Sequence, residues 1–221
     1  TGNAVYDAAG VAKVTTELMN THAAVGDLDL DGIPEIVAVD TATHTVDVWH
    51  VTGPGTFEIV REDIDLNEGI DPNPCCEANP DSAGCTRGGG TPTIARFNDD
   101  AYPDVGLAGG IGYVVFDGLA LMDGTPAADT RLWLRPTQDC SSAQTGSSVF
   151  DFDGDGQAEV VYADETTMHV YAGATGEPLF ETCSTNGTLW EYPLVADVDN
   201  DGHADIVVGS NSYSGFTCED G

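Results

Sequence analysis

Four carboxylates lie close together between residues 151 and 159, where the sequence reads DFDGDGQAE. Asp151, Asp153 and Asp155 occupy alternate positions, Gly156 follows, and Glu159 ends the run. Alternating aspartates project toward one point when the chain curls, and the glycine permits the sharp turn. Because clustered carboxylates repel one another unless a cation lies between them, and because hard oxygen ligands suit Ca²⁺, the motif predicts a calcium-binding loop.

The motif occurs four times in the chain. DLDLDGIPE starts at Asp27, RFNDDAYPD at Arg96 and DVDNDGHAD at Asp197, so nine positions can be aligned with residues 151–159. An EF-hand loop begins in a similar way but requires a glutamate at position 12 and helices on both sides. Position 12 is Ala38, Tyr162 or Val208 in the three well-formed copies, and the flanks alternate like strands. The sequence therefore excludes an EF-hand.

Short apolar runs surround each motif and give the organisation of the chain. Up to four such runs follow one another in each repeat, which is typical of a β-propeller blade. We therefore predict an all-β, β-propeller fold with one domain or segment, residues 1–221. It divides into the last strands of a preceding blade (1–20), a blade (21–70), a cysteine-rich insertion (71–90), two further blades (91–139 and 140–184) and a partial blade (185–221). Either the two incomplete ends close a small four-bladed ring, or the chain is part of a larger ring, which we favour.

The order strand, D-x-D-x-D-G-x-x-[DE], strand resembles the FG-GAP and VCBS repeats of integrin-α-like propellers. SSVFDFDGDGQAEVVYADE and EYPLVADVDNDGHADIVVGSN are especially similar to repeats of secreted bacterial proteins. The resemblance implies about three Ca²⁺ ions, each in the loop between the first and second strands of a blade. By position, the implied side-chain ligands are Asp27, Asp29, Asp31 and Glu35; Asp151, Asp153, Asp155 and Glu159; and Asp197, Asp199, Asp201 and Asp205. The implied backbone carbonyls at position 7 are those of Ile33, Gln157 and His203.

The second copy, from Arg96 to Asp104, departs from the motif. Arg96 replaces the first aspartate, Asn98 the second, and Ala101 the glycine. A permanent cation at a ligand position repels a divalent ion. We therefore expect a degenerate fourth site without a well-occupied ion, in which the Arg96 guanidinium reaches Asp100 or Asp104 instead.

Composition limits the partners and the compartment. The formal charge is −32, from 38 acidic and six basic residues, which argues against nucleic acid and anionic membrane surfaces. No apolar run is long enough to insert into a membrane. Six cysteines without a C-x-x-C pair indicate disulfides and an oxidising compartment. We expect Cys140 to pair with Cys183, and Cys85 with one of the cysteines at 75–76; Cys218 takes the remaining cysteine or residues beyond this chain.

Other features point to structure rather than catalysis. The histidines lack paired spacing, and Trp49, Trp133 and Trp190 suit blade packing, with a sugar-binding platform as the alternative. NGT at 186–188 is either a glycosylation sequon or a turn. We expect a secreted or cell-surface binding, adhesion or structural module without catalytic residues. Its partner would be a protein or carbohydrate ligand, recognised through the 71–90 insertion, or further blades of a longer chain. The alternative is the propeller part of a polysaccharide lyase or hydrolase.

Overall fold

The computed structural model of the chain describes residues 23–70, 76–78, 80–82, 85, 88–142, 144–188, 191–211 and 218, and the backbone alone of residues 5–6, 12–14 and 74–75. β-Strands dominate these residues. The two described α-helices, α1 (Pro74–Ala78) and α2 (Gly118–Met122), have five residues each. Neither comes near the length that crossing a bilayer requires.

Three antiparallel four-stranded sheets follow one another, and in each the strands are adjacent in chain order. The first sheet contains β3 (Ala23–Gly26), β4 (Glu35–Asp40), β5 (Thr45–Gly53) and β6 (Thr56–Asp65). The second contains β7 (Thr93–Ala95), β8 (Asp104–Ala108), β9 (Gly112–Phe116) and β10 (Arg131–Pro136). The third contains β11 (Ser147–Phe150), β12 (Glu159–Ala163), β13 (Thr167–Tyr171) and β14 (Pro178–Cys183).

Two further pairs of strands flank these sheets. β15 (Leu194–Ala196) and β16 (Asp205–Val207) form the fourth unit, and β1 (Val5–Tyr6) pairs with β2 (Ala12–Val14). The first strands β3, β7, β11 and β15 each contact the next, so the sheets are arranged side by side with these strands innermost. The chain has the predicted all-β, β-propeller-like fold. β1 and β2 form a sheet of their own, and β2 contacts β6.

Side chains of the second strand in each unit alternate between the two neighbouring sheets, as strand geometry requires. In β12, Val160 and Tyr162 pack against the second unit. Val161 and Ala163 point the other way and pack toward Ile206 of the fourth unit. The core is therefore a series of apolar layers between units, which fixes the loops at the strand ends relative to one another.

The second unit carries an elaboration that the sequence pattern does not predict. Helix α2 and the 3₁₀ turn Ala127–Asp129 lie between β9 and β10. The side chain of Asp117 caps the helix, because its Oδ1 accepts a hydrogen bond from Ala120 N at 2.9 Å. Helix α2 packs against β6 of the first unit and against β8 of its own.

Three of the six basic residues join neighbouring units through backbone carbonyls. Arg61 of β6 donates to the carbonyls of Ala120 and Leu121 at the end of α2, at 2.8 and 2.6 Å. Arg131 donates to the carbonyls of residues 65 and 68 in the first unit. Arg135 donates to those of residues 175 and 176 in the third unit, at 3.1 and 2.6 Å. These bonds tie the second unit to both of its neighbours.

Disulfides add covalent links within the chain. Cys76 pairs with Cys85, and Cys183 pairs with Cys218, while Cys140 is also disulfide-bonded. The predicted pairing of Cys85 within the insertion is confirmed, with Cys76 as its partner. The predicted pairing of Cys140 with Cys183 is wrong, because distance from the acidic motif along the chain does not tell where a Cβ points. Cys76, Cys85 and Cys140 lie together, but as disulfides they offer no thiolates to a metal.

Two of the three tryptophans have packing roles. Trp49 and Trp133 are 5% and 7% exposed, so neither offers a platform for a sugar. The Trp133 ring lies 5.7 Å from that of Tyr113, and its Nε1 donates to the carbonyl of Gly173. Trp190 lies outside the described residues.

The sequon at 186–188 serves the fold. Asn186 is 3% exposed, and its Oδ1 accepts a hydrogen bond from Asn211 Nδ2 at 2.6 Å. The hydroxyl of Thr188 donates to the buried carboxylate of Asp139. The sequon is therefore buried in the folded chain, and residues 186–188 form neither a strand nor a turn.

Candidate metal centre

The four acidic motifs form the loops that join the first strand of each unit to the second. We call them loop 1 (27–35), loop 2 (96–104), loop 3 (151–159) and loop 4 (197–205), and number their residues 1 to 9. In each loop the residue at position 9 is also the first residue of the second strand. The core layers between units therefore hold position 9 in place.

The acid at position 9 closes each loop from the inside. One of its carboxylate oxygens accepts a hydrogen bond from the backbone N–H of position 2. The bonds run from Leu28 to Glu35 (2.7 Å), Phe97 to Asp104 (3.0 Å), Phe152 to Glu159 (2.8 Å) and Val198 to Asp205 (3.0 Å). Because the bond is present even in loop 2, part of the acidic pattern encodes a turn, and one oxygen of each position-9 acid is committed to the backbone.

Side chains at positions 3 and 5 curl the loop by the same means. Position 3 accepts from the N–H of position 5, with Asp29, Asn98, Asp153 and Asp199 as acceptors at 2.8 to 3.1 Å. Position 5 accepts from the N–H of position 7, with Asp31, Asp100, Asp155 and Asp201 as acceptors at 2.7 to 2.8 Å. Such side-chain bonds to the backbone favour turns. Asn98 performs this task as well as an aspartate, which explains why loop 2 still folds.

Position 1 separates loop 2 from the others. In loops 1, 3 and 4 its aspartate accepts a hydrogen bond from the glycine N–H at position 6, at 2.9 to 3.0 Å. These glycines have φ values of +88° to +89°, and position 4 also has a positive φ. Asp99 and Ala101 of loop 2 have no positive φ. Without an aspartate at position 1 and a glycine at position 6, the second loop follows a different path.

Position 4 of loop 1 is occupied by a strained residue, Leu30, with φ of +58° and 51% exposure. Loops 3 and 4 have Gly154 and Asn200 at this position, which tolerate this backbone conformation. We expect Leu30→Asn to stabilise the protein by about 0.5–1 kcal/mol, measured by thermal unfolding. Ile33→Asn, which replaces an exposed residue of the same loop without a positive φ, is the control. An equal response of the two variants would contradict the strain argument.

The structure brings together three of the four predicted acidic side chains in each well-formed loop. Side-chain oxygens at positions 1, 3 and 9 lie within 4.8 Å of one another in loops 1, 3 and 4. The groups are Asp27, Asp29 and Glu35; Asp151, Asp153 and Glu159; and Asp197, Asp199 and Asp205. The position-5 aspartates lie outside these groups and bond the backbone of Ile33, Gln157 and His203, whose carbonyls remain predicted ligands.

These groups fit a hard divalent cation. Asp27 Oδ1 is buried and has no hydrogen-bond partner, so loop 1 leaves one carboxylate oxygen unsatisfied. In loop 3, burial raises the pKa of Glu159, the N–H of Phe152 opposes this, and Asp153 and Asp151 raise the pKa further. The donors are oxygens only, which suits Ca²⁺ rather than a metal that prefers nitrogen or sulfur.

In loop 2, a backbone amide takes the place that we predicted for Arg96. Asp104 is fully buried; Oδ2 accepts from Phe97 N, and Oδ1 accepts from Gly118 N of α2 at 3.2 Å. Burial raises the pKa of the Asp104 carboxyl to about 6, against the opposing effect of these two amides. Within the described residues no ion pair joins Arg96 to Asp100 or Asp104. The predicted pairing of Arg96 within its own loop is therefore wrong.

The Arg96 side chain lies instead beside the next loop. A methyl group added at Gly156 of loop 3 would lie 3.9 Å from Arg96 Nη2. The backbone carbonyl of Arg96 accepts a hydrogen bond from Ala158 N at 2.8 Å. Arg96 thus links loops 2 and 3, and the reason is the stacking of the units, which a motif confined to one loop does not contain.

The second oxygen of the position-9 acid is bonded differently in the first three units. In loop 1, Glu35 Oε1 lies 2.7 Å from Nδ1 of His50, and in loop 2 the second oxygen accepts from Gly118. Within the described residues, nothing bonds Glu159 Oε1 of loop 3. Loops 1 and 3 thus share one motif but differ in what surrounds the position-9 acid.

Sequence reasoning missed His50 as a member of the site. The signal that identifies it is strand register, because His50 in β5 pairs directly with Glu35 in β4. His169, in contrast, has the structural role expected of the histidines. It lies between Asp164 and Glu181, at 3.2 and 2.8 Å. Burial lowers its pKa, but hydrogen bonds and charges from these two acids outweigh burial and raise the pKa overall.

Solved structures of low sequence identity resemble the chain. The V. cholerae biofilm matrix protein Bap1 is 17% identical, with a TM-score of 0.44 over 89% of this chain and 40% of that one. BBS1N, solved in complex with ARL6DN, is 13% identical, with a TM-score of 0.48 over 90% and 53%. An Agrocybe aegerita lectin, solved for its recognition of non-reducing terminal N-acetylglucosamine, is 15% identical, with a TM-score of 0.46 over 84% and 46%. This chain thus spans about half the length of each.

The family comparison concerns the third and fourth units. No curated protein matches the chain in sequence. A family model described as an FG-GAP-like repeat matches residues 151–208, which include loops 3 and 4 and the strands between them. Residues 151–208 are thus similar to FG-GAP-like repeats, and they contain two of the three loops in which the full acidic motif and its hydrogen bonds occur.

Proposed function

We propose that loops 1, 3 and 4 each bind one Ca²⁺ ion and that the chain is a calcium-stabilised extracellular binding module. The observation that carries the proposal is the threefold grouping of carboxylate oxygens within 4.8 Å, together with the unsatisfied buried oxygen of Asp27. A bound Ca²⁺ would supply the positive charge that these groups lack.

The residues of each loop would have different roles in binding the ion. Positions 1 and 3 offer carboxylate oxygens, and position 9 offers the oxygen that its bond to position 2 leaves over. Position 5 curls the loop through the N–H of position 7 and would turn its second oxygen, or the carbonyl at position 7, toward the ion. We propose loop 2 as the exception, because both oxygens of Asp104 are bonded to amides.

An extracellular location is supported by the disulfides and by the loops. Cys76–Cys85 and Cys183–Cys218 form and persist in oxidising compartments. Exposed loops of this kind suit the millimolar calcium concentrations at which extracellular modules bind. The charge of −32 disfavours nucleic acid as a partner, so we propose a protein or carbohydrate ligand.

The insertion at 71–90 is the proposed recognition element. Its Cys76 and Cys85 pack with Ile111, in the turn between β8 and β9, and with Cys140, in the connection to the third unit. A loop fixed by a disulfide and an apolar contact can present side chains with little loss of conformational entropy on binding. Recognition at such an element requires no catalytic group.

Calcium titration tests the metal part of the proposal. Isothermal titration calorimetry with CaCl₂ is expected to give about three bound ions, and Asp153→Ala should remove one of them. Asp99→Ala is the control, because it removes an exposed acid from loop 2, where no ion is expected. Absence of calcium binding, or an unchanged stoichiometry in Asp153→Ala, would refute the proposal for these loops.

Ligand binding and turnover test the module part. The calcium-loaded protein should bind one class of polysaccharide or matrix protein in a surface-immobilised panel, and the bound polysaccharide should remain intact. New reducing ends or unsaturated products would show that the chain belongs to a polysaccharide-acting enzyme. A proteolytic nick within 79–84 should weaken binding without changing calcium stoichiometry.

A further inference from the structure

We infer that His50 sets the calcium affinity of loop 1 by occupying the carboxylate oxygen that Glu35 would otherwise offer to the ion. Loop 1 then fills only at a higher calcium concentration than loop 3. The inference rests on the proposed function, since it requires that the loops bind Ca²⁺. It goes further by separating loops whose motifs are alike.

The geometry places His50 between two predicted ligands of loop 1. Its Nδ1 lies 2.7 Å from Glu35 Oε1, and its Nε2 lies 3.9 Å from Asp31 Oδ2. Glu35 is fully buried, and its other oxygen already accepts from Leu28 N. The imidazole therefore lies between the carboxylates of Asp31 and Glu35, the acids at positions 5 and 9.

The third unit has a different residue at the position that corresponds to His50. Ile36 pairs with Trp49, and Val160 pairs with Tyr171, so the residue after Tyr171 is the counterpart of His50. That residue is Ala172, which has no polar side chain to offer, and Glu159 Oε1 has no bonding partner within the described residues. Loop 3 therefore shows a position-9 acid whose second oxygen has no histidine beside it.

The second unit supports the same interpretation. Val105 pairs with Phe116, so Asp117 is the counterpart there. Asp117 caps α2, and the next residue, Gly118, donates its N–H to Asp104. The residue that pairs with the position-9 acid, or the residue after it, thus determines whether the second oxygen of that acid has a hydrogen-bond partner.

Competition follows from the number of oxygens. An ion in loop 1 would compete with the imidazole for Glu35 Oε1, because Oε2 already accepts a hydrogen bond from Leu28 N. Hydrogen bonds to charged groups are stronger than neutral ones. Removing the imidazole should therefore tighten calcium binding in loop 1 by about tenfold or more.

Calorimetry with CaCl₂ tests this in a background that carries Asp153→Ala and Asp199→Ala, which leaves loop 1 as the remaining site. His50→Ala should lower the dissociation constant about tenfold. His50→Asn should remain near the starting affinity, because the asparagine amide can donate from about the place of Nδ1. Unchanged or weaker binding in His50→Ala would overturn the inference and would indicate that the imidazole orients Glu35 for the ion.

Crystals of the otherwise unaltered chain give an independent measurement that does not need the background variants. At graded CaCl₂ concentrations, anomalous occupancy in loop 3 should precede that in loop 1, and His50→Ala should abolish the difference. Ala172→His should delay occupancy in loop 3. Equal occupancies in both proteins would refute the role of His50 while leaving the proposed function intact; no ion in loop 3 at any concentration would refute both.

Discussion

Excess EGTA is expected to lower the free energy of unfolding by about 2.7 kcal/mol for each loop that calcium had filled at a hundred times its dissociation constant. Three filled loops would give about 8 kcal/mol, which is comparable to the whole stability of many domains. The physical reason is that the folded loops confine carboxylates within 4.8 Å of one another, whereas the unfolded chain separates them. The loss should appear as a large decrease in the melting temperature.

Matched conditions separate this effect from simple screening. Sodium chloride at the ionic strength of the calcium buffer should restore only part of the lost stability, because exposed charges alone respond to it. Asp153→Ala should reduce the effect of EGTA, since one ion fewer can be removed. Identical melting curves with and without EGTA would contradict a stabilising role for calcium.

Gly118→Ala is expected to destabilise the protein by about 3 kcal/mol or more and to lower its melting temperature by about 6–12 °C. A Cβ at this position would lie 1.8 Å from the carbonyl oxygen of Pro103, a backbone atom that a side-chain rotation cannot move away. The displaced amide would also leave Asp104 Oδ1 buried without its hydrogen bond. Both costs fall on the unit that we propose to fold without an ion.

Gly209→Ala is the matched control, because no atom lies within 4 Å of the added methyl group. Its melting temperature should remain close to that of the starting protein. Gly118→Ala should also leave the number of bound ions unchanged, since loops 1, 3 and 4 are separate from the altered contact. A melting temperature unaffected by Gly118→Ala would mean that the amide of residue 118 does not hold loop 2 together.

Much of the fold follows from local patterns that a single sequence contains. The Asp-x-Asp-x-Asp-Gly spacing predicts its own loop, because positions 1, 3 and 5 bond to backbone groups within the same nine residues. The apolar runs beside it alternate with period two, which predicts strands on both sides. The loops and the order of strands therefore needed no knowledge of distant contacts.

The parts that could not be predicted depend on contacts between distant segments. Gly118 donates a hydrogen bond to Asp104, fourteen positions earlier, from a helix that the repeat pattern does not predict. His50 reaches Glu35 through strand register, which the acidic motif does not include. Cys183 pairs with Cys218, which lies 35 positions further along the chain. In each case the information lies in how units stack, and one motif at a time does not contain it.

The apolar layers between neighbouring units differ in composition, which fixes the order in which the units can pack. Between the first and second units the layer is mainly aliphatic, with Val37 and Leu107 among its members, although it also includes Phe116. Between the second and third it is aromatic, and Tyr113 and Tyr162 approach within 5.2 Å between ring centroids. Gly106 leaves room for these rings, since a methyl group there would lie 2.8 Å from Tyr113 Oη. Units with similar loops thus differ in the size of the side chains on their packed faces. A chain with these units in another order would therefore place faces of unlike shape against each other.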